Sequence, residues 1–298
     1  MVRPLSLEFN KNNCDTIRLV AALQVLLYHG LEYFDLHHDN GFFDVLSLFP
    51  GVPIFFLTSV FLISSSFDRS PRLITYIKNR VLRIYPGLWG CFILSLITII
   101  TFYEFTAPVL DILLWCLAQI SFLQVYNPEF LRGYGVGVLN GSLWTIPIEL
   151  QFYFILSLIL IFLNRFSWSR ICLVLVMIFL IAVNLAHTLD LFSMNVMIHK
   201  FVGVTVAPFL MLLLGSLTLS SAYAKPFFIQ RYIAGHDISC GMYIYHMVII
   251  NTFVQVKGVL GFNELFLMIA FTLIMSLLSW RYIENPCLKF KKEVSNKK

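Results

Sequence analysis

The sequence predicts an all-α, polytopic transmembrane helix bundle of about eight to ten spans. Of its 298 residues, 59% are hydrophobic and 12% are charged, about half the usual charged share. The apolar residues gather in windows of roughly 17 to 25 residues, the length of one helical bilayer crossing. A water-soluble fold could not bury this much apolar surface, and barrel strands would alternate instead. The composition also excludes a disordered chain, a disulfide-stapled secreted domain and a nucleic-acid binder.

Each apolar window predicts one membrane-spanning helix. Because no internal repeat or flexible linker divides the chain, residues 1–298 are expected to form a single domain. One window, Val109–Val125, is short and is interrupted by Asp111 and Gln119. Region 105–141 is therefore either external with a re-entrant helix or contains two further short crossings. The eight clear windows are Ile17–Leu36, Val45–Phe67, Ile84–Phe105, Ser142–Leu163, Ile171–His187, Phe201–Ser221, Gly235–Val256 and Leu265–Ile283.

Basic residues predict the orientation of these spans. Eighteen of the 21 lysines and arginines fall in segments on one side, and only Arg132, Lys200 and Lys257 fall on the other. Because cytoplasmic loops are enriched in Lys and Arg, both termini are predicted to be cytoplasmic. We expect a multi-pass protein of the bacterial cytoplasmic (inner) membrane.

The first span carries two ionisable residues, Arg18 and His29. They are 11 residues apart, so they share one helix face and are separated by about 16–17 Å along the axis. An elongated ligand that enters from the cytoplasmic side and reaches mid-membrane could contact both. The alternative is that Arg18 extends to the interface and His29 is a packing residue.

Two further ionisable residues lie at similar depth, His246 and Glu149. A buried glutamate needs a cationic or hydrogen-bonding partner, and Arg18, His29 and His246 are the candidates. Ionisable residues inside the bilayer are costly and usually functional, although each one alone has a structural explanation. The six cysteines are isolated, so we expect neither disulfides nor a metal site.

An arginine-rich loop joins the second and third predicted spans. Arg80 and Arg83 share one face there at i,i+3 spacing, and Arg72 lies nearby. Guanidinium groups bind phosphate oxygens at two points, which suits a nucleotide-bearing donor. The alternative is simple positive-inside orientation with contact to anionic lipids.

Taken in order, six segments resemble the membrane-bound acyltransferase family 3, the integral O-acyltransferases that modify cell-surface sugars. Each is weak alone, but together they span nearly the whole chain. They are Asp15-Thr16-Ile17-Arg18 with His29; the segment from Gly51 to Ile63 that contains Phe55-Phe56-Leu57-Thr58-Ser59; Arg80-Val81-Leu82-Arg83-Ile84-Tyr85-Pro86; the segment from Ser142-Leu143-Trp144 through Glu149 to Tyr153; Ile238-Ser239-Cys240-Gly241-Met242-Tyr243-Ile244-Tyr245-His246; and Arg281-Tyr282-Ile283-Glu284-Asn285-Pro286.

The resemblance implies transfer of an acyl group, usually acetyl, from cytoplasmic acyl-CoA to a glycan hydroxyl. It implies that Arg18 and His29 are the functional pair, that Arg80 and Arg83 handle acyl-CoA, and that Glu149 belongs to the site. The sequence departs from the family at Ser59-Val60-Phe61, where Ser-Gly-Phe is usual, and around Pro53, where an acidic residue often precedes Phe-Phe. The esterase-like domain that many members carry is not expected, because the chain ends at Lys298.

These residues suggest a mechanism. Arg72, Arg80 and Arg83 would hold the phosphates of acetyl-CoA, and His29 would act as general base, since an ordinary histidine pKa is about 6.5. His246 or Glu149 would orient His29; direct transfer and an acyl-histidine both remain open. The further candidates for acceptor binding or support are Ser59, Trp144, Tyr243, Asp15 and Glu284.

The acceptor side is open to two interpretations. Trp144, Tyr134 and the Asn127–Asn140 loop would stack on sugar rings, or their aromatic residues form an interfacial belt. The expected partners are acyl-CoA, a glycan or lipid-linked oligosaccharide and membrane lipids, with no permanently bound cofactor and no nucleic acid. The competing functional class is a transporter with an intramembrane His/Glu/Arg relay; a structural scaffold would leave these residues without a purpose.

Overall fold

The computed structural model describes an all-α chain. Its described residues are 12–36, 41–47, 49–59, 73–121, 123–124, 126–147, 150–151, 208–224, 237–257 and 260–289, with the backbone alone at 47, 73–77, 79–80 and 208–212. Within these ranges there is no strand. The helices are α1 (Cys14–Tyr33), α2 (Gly41–Ser47), α3 (51–59), α4 (Leu73–Phe102), α5 (Val109–Ile120), α6 (Pro208–Tyr223), α7 (Ser239–Val256) and α8 (Phe262–Ser279).

Helices α1, α4, α6, α7 and α8 overlap predicted spans, although α4 begins 11 residues before its window. The described part of the window Val45–Phe67 is divided between α2 and α3. Three stretches of these ranges are long and apolar enough to cross a membrane: Gly41–Ser59, Val81–Phe102 and Phe262–Lys289. Helices α1 and α7 are of similar length but more polar, because they carry the ionisable residues singled out above. The predicted span Ile171–His187 and most of Ser142–Leu163 lie outside the described residues.

Helix α7 is the central element of the bundle. It packs against α1, α4 and α8. Every residue from Gly241 to Asn251 is buried, so the helix has no lipid-facing side over these three turns. A helix that is enclosed on all sides can carry polar groups at low cost only if they find partners within the bundle.

Contacts along the helices confirm the alternating directions that the predicted topology requires. Helices α1 and α7 run parallel, because Arg18 contacts Asp237 near their starts and Phe34 packs on Phe253 near their ends. Helix α8 runs antiparallel to α7. At their crossing, a Cβ added to Gly241 would lie 3.0 Å from Ser276 Cα, so this small residue allows close helix approach.

In its described part, region 105–141 contains one α-helix, α5, and a 3-10 turn at Glu129–Leu131. Helix α5 ends at Ile120, five residues earlier than predicted, and is about 18 Å long, which is too short to span. The segment after it is held against α7 by Asn251, whose side-chain amide donates to Val138 O and Leu139 O and accepts from Val136 N. The described residues of this region therefore favour the alternative with one re-entrant helix over two further crossings.

Candidate active site

Helix α1 carries Arg18 and His29 on one face, as predicted. Arg18 is buried, whereas His29 is half-buried and keeps part of its surface accessible. Asp15, in the first helical turn, is also half-buried. Because α1 is helical throughout, the two functional candidates remain about 16–17 Å apart along the axis.

His29 and His246 form a direct hydrogen bond between α1 and α7. His29 Nδ1 and His246 Nε2 are 3.0 Å apart, and the rings stack with centroids 5.2 Å apart. His246 is fully buried, and its Nδ1 lies 3.1 Å from the backbone oxygen of Met242. The two imidazoles that the sequence placed at similar depth therefore form one unit.

The hydrogen-bond partners define which nitrogen carries each proton. The Met242 carbonyl can only accept, so His246 Nδ1 carries a hydrogen and the neutral ring offers Nε2 as an acceptor. His29 must then donate from Nδ1, and its Nε2 keeps a lone pair. The pair thus presents a basic nitrogen on the half-buried ring. If His29 takes up a proton there, it can still donate to His246.

A charged cluster lies at the other end of this face. Arg18 Nη1 donates to Asp237 Oδ2 over 2.7 Å, and Arg83 Nη2 contacts the same oxygen. The hydroxyl of Ser239 donates to Asp237 Oδ1. Asp237 was not predicted from sequence, although two arginines near the bilayer need a counter-charge and it directly precedes a motif segment.

Aromatic rings connect the charged cluster with the histidine pair. The guanidinium carbon of Arg18 lies 4.6 Å from the centre of the Phe55 ring, a cation–π contact. Phe55 stacks on Tyr243 at 5.5 Å, and Tyr243 lies 6.0 Å from the ring of His246. Helices α1, α3 and α7 therefore contribute one continuous row of side chains, the aromatic wall, which runs from Arg18 through Phe55, Tyr243 and His246 to His29.

Ser59 lies one helical turn beyond Phe55 on α3. It is buried, and its hydroxyl has no hydrogen-bond partner among the residues described. Arg18 Nε is likewise buried and lacks a partner in the described part of the chain. Because buried polar atoms are normally hydrogen-bonded, these two atoms are candidates for contact with a bound ligand.

Glu284 is a buried carboxyl that interacts electrostatically with the charged cluster. It lies in a π-helical turn, Trp280–Glu284. Pro286 follows this turn and cannot donate a backbone hydrogen bond. Ser279 Oγ donates to Glu284 Oε1 over 2.9 Å. The carboxyl also lies within electrostatic range of Asp237 and Arg83. The structure thus brings Glu284 close to the predicted donor-binding residues.

Several predicted residues are elsewhere or outside the described structure. Glu149 and Arg72 lie outside the described residues, and Arg80 is described only as part of the α4 backbone. Trp144 is half-buried at the end of a 3-10 turn, Gly141–Trp144. Tyr134 is fully buried and contacts Tyr103, so stacking of this residue on a sugar ring is wrong.

A separate cavity of about 590 Å³ lies beside the start of α5. Its lining includes Asp111 and, from the predicted acceptor loop Asn127–Asn140, Asn127, Glu129 and Arg132; none of the predicted catalytic or donor-binding residues contributes. It is therefore distinct from the wall between Arg18 and His29.

Comparison with known proteins identifies the family of this chain. The sequence profile of the family described as an acyltransferase domain, acyltransferase family 3, matches residues 12–217, more than half of the chain. The chain belongs to the acyltransferase-3 family. It is therefore an O-acyltransferase of a helical membrane-protein family, as the six sequence segments indicated.

Two relatives support this assignment. The chain is 27% identical to nodulation protein 10 of Rhizobium leguminosarum bv. viciae, over 95% of this chain and 94% of that protein. It is 34% identical to an O-acetyl transferase of Shigella phage Sf6, over 49% of this chain and 45% of that protein. No solved structure matches.

Proposed function

We propose that this acyltransferase moves an acetyl group from cytoplasmic acetyl-CoA to a hydroxyl of a cell-surface glycan, such as an O-antigen, an exopolysaccharide or a lipid-linked sugar. The observation that carries the proposal is the hydrogen-bonded pair of His29 and His246, because it leaves a basic imidazole nitrogen on a half-buried ring. The name of the phage relative, an O-acetyl transferase, favours acetyl as the group transferred.

In the proposed step, His29 Nε2 removes the proton from the acceptor hydroxyl. The hydroxyl oxygen attacks the thioester carbonyl carbon, the C–O ester bond forms and the C–S bond breaks. The coenzyme A sulfur leaves as a thiolate and takes the proton back from His29, so the enzyme returns to its starting state. Hydrogen bonding to His246 Nε2 stabilises the imidazolium in between.

The donor is proposed to enter from the end of the bundle where Arg18, Arg83 and Asp237 meet. Arg72 and Arg80 would add contacts to the phosphates. Arg18 Nε and Ser59 Oγ, which have no hydrogen-bond partner among the described residues, would donate to the pantetheine arm or the thioester. The rise of about 16–17 Å along α1 is comparable with the reach of an extended pantetheine arm. This end would face the cytoplasm in a bacterial inner membrane, with both termini on the same side.

The remaining candidates are proposed to support this site. Tyr243 continues the wall between Arg18 and His246, and Glu284 and Asp15 lie near the charged end. Glu149 would act from the motif that follows Trp144, and Trp144 would lie towards the acceptor.

The proposal predicts saturable acetyl transfer by the purified protein. Radiolabelled acetyl-CoA, supplied with surface polysaccharide or its lipid-linked precursor, should yield labelled glycan, and NMR should show new O-acetyl signals. Labelled acetyl-CoA is consumed only if the protein is an enzyme. Uptake of a solute into vesicles without any acetyl-CoA consumption would instead support the transporter class.

We predict that His246→Phe lowers kcat about 10- to 100-fold and leaves the KM for acetyl-CoA unchanged. Phenylalanine fills the buried space but cannot accept the hydrogen from His29 Nδ1, so the base loses its orientation. His246→Gln, which carries an acceptor oxygen at a similar position, should retain more activity than His246→Phe. The check is steady-state kinetics of both variants, and equal activity of the two would contradict an orienting hydrogen bond.

A further inference from the structure

Asp237 joins three helices at a single carboxylate. Arg18 comes from α1 and Arg83 from α4, and both contact Asp237 Oδ2 immediately before the start of α7. Ser239 Oγ donates to the other carboxylate oxygen, so both oxygens are engaged. The side chain of Arg18 is 5% exposed, that of Asp237 22% and that of Arg83 30%.

We propose that Asp237 is a positioning residue, which sets the placement of Arg18 and Arg83 for binding of the acyl donor. This inference rests on the proposed function, because it assumes that the two arginines meet acetyl-CoA. Arg18 would act next to the thioester end of the arm and Arg83 next to its phosphates. Because both guanidinium groups contact the Asp237 carboxylate, this residue fixes the position of the thioester subsite relative to the phosphate subsite.

Electrostatics explains why an acidic residue is needed at this position. Two guanidinium groups that converge on one point repel each other, and the repulsion is strong where water is excluded. Arg18 is buried and cannot turn to bulk solvent, so without Asp237 its charge would lose the carboxylate with which it is paired. The carboxylate removes this repulsion and keeps both side chains in place before the donor arrives.

The geometry also leaves hydrogen-bond donors for a ligand. A guanidinium has five N–H groups, and the bond from Arg18 to Asp237 uses one on Nη1. Arg18 Nε is buried without a partner among the described residues. An ion pair with a purely structural role would be expected to satisfy this atom as well, since buried N–H groups are rarely left unpaired.

The test is binding of radiolabelled acetyl-CoA to the full-length protein in detergent or nanodiscs. We expect Asp237→Asn to weaken binding at least about tenfold, because the two arginines lose their shared partner. Asp237→Glu, which keeps the charge, should recover part of the loss. The losses in the double variant Asp237→Asn/Arg83→Gln should be less than additive, because both changes disable the same contact between Asp237 and Arg83.

The matched control is Glu264→Gln, which neutralises another paired carboxylate. Glu264 Oε1 lies 2.8 Å from Lys257 Nζ, at the opposite end of the bundle, so this change should leave binding unaltered. Wild-type affinity in a stably folded Asp237→Asn protein would overturn the inference. Fully additive losses in the double variant would also overturn it, because the two residues would then act independently.

A milder variant covers the case in which Asp237→Asn does not fold. Ser239→Ala removes only the hydroxyl that donates to Asp237 Oδ1, and we expect a several-fold loss of affinity; unchanged affinity would contradict the inference. If the wild-type protein itself does not bind acetyl-CoA, the proposed function fails. Failure of the positioning role alone appears as normal wild-type binding that none of these variants alters.

Discussion

Replacement of His29 by glutamine is expected to lower acetyl transfer about 100- to 10,000-fold, the range typical for loss of a general base. Glutamine can still donate a hydrogen bond towards His246, but it has no nitrogen that takes up a proton at neutral pH. The loss should appear in kcat, whereas binding of acetyl-CoA at the arginine end should persist. The measurement is initial-rate kinetics of labelled acetyl transfer with purified wild-type and variant proteins.

A lipid-facing substitution on the same helix provides the control. Leu23 lies on α1 and is 37% exposed, so Leu23→Ala should leave both insertion and activity close to wild type. Transfer at the normal rate by a correctly inserted His29→Gln protein would exclude His29 as the base. Loss of both acetyl-CoA binding and membrane accumulation would instead indicate a structural role.

The helical class and the span positions could be predicted because hydropathy is a local property of the sequence. Helices α1, α4, α7 and α8 begin and end within a few residues of the predicted windows or extend beyond them on one side. Region 105–141 was ambiguous because the short apolar window of α5 fits either a re-entrant helix or a partial crossing. Its outcome depends on contacts that are distant in sequence, such as those of Asn251 with Val138 and Leu139.

The site was predicted in part, for a similar reason. Equal depth along two spans placed His29 and His246 at one level, but their direct bond depends on the parallel packing of α1 and α7. No window or spacing rule contains that information. Asp237 was missed because it precedes its helix and resembles an ordinary interfacial acid. Only the three-helix arrangement shows that its carboxylate meets both Arg18 and Arg83.

Arg18, His29 and His246 were the candidate partners of Glu149, which lies outside the described residues, and in the described contacts each of the three has a different partner. Arg18 pairs with Asp237, and His29 pairs with His246. The two groups lie at opposite ends of the aromatic wall formed by Phe55 and Tyr243. This separation fits a reaction in which charge recognition and proton transfer act on different parts of one elongated donor.

Replacement of Arg18 by glutamine is expected to reduce kcat/KM for acetyl-CoA about 100-fold or more, a loss of roughly 3 kcal/mol or more. Glutamine retains two N–H donors but loses the charge and the cation–π contact with Phe55. Asp237 keeps Arg83 as a partner in this variant, so its carboxylate is not left alone and folding should be largely preserved. The protein should therefore accumulate in the membrane and unfold near the wild-type temperature, while activity is lost.

Arg18→Lys and Arg281→Gln separate charge, geometry and general effects. Lysine keeps the positive charge but offers no planar fork, so Arg18→Lys should recover only part of the activity. Arg281 is exposed beside Tyr282, at the end of the bundle predicted to be cytoplasmic, and its loss should change little. Full activity of Arg18→Lys would mean that a point charge suffices and that the partnerless Nε atom has no role. Full activity of Arg18→Gln would remove Arg18 from the donor site and leave Arg83 to bind the donor without it.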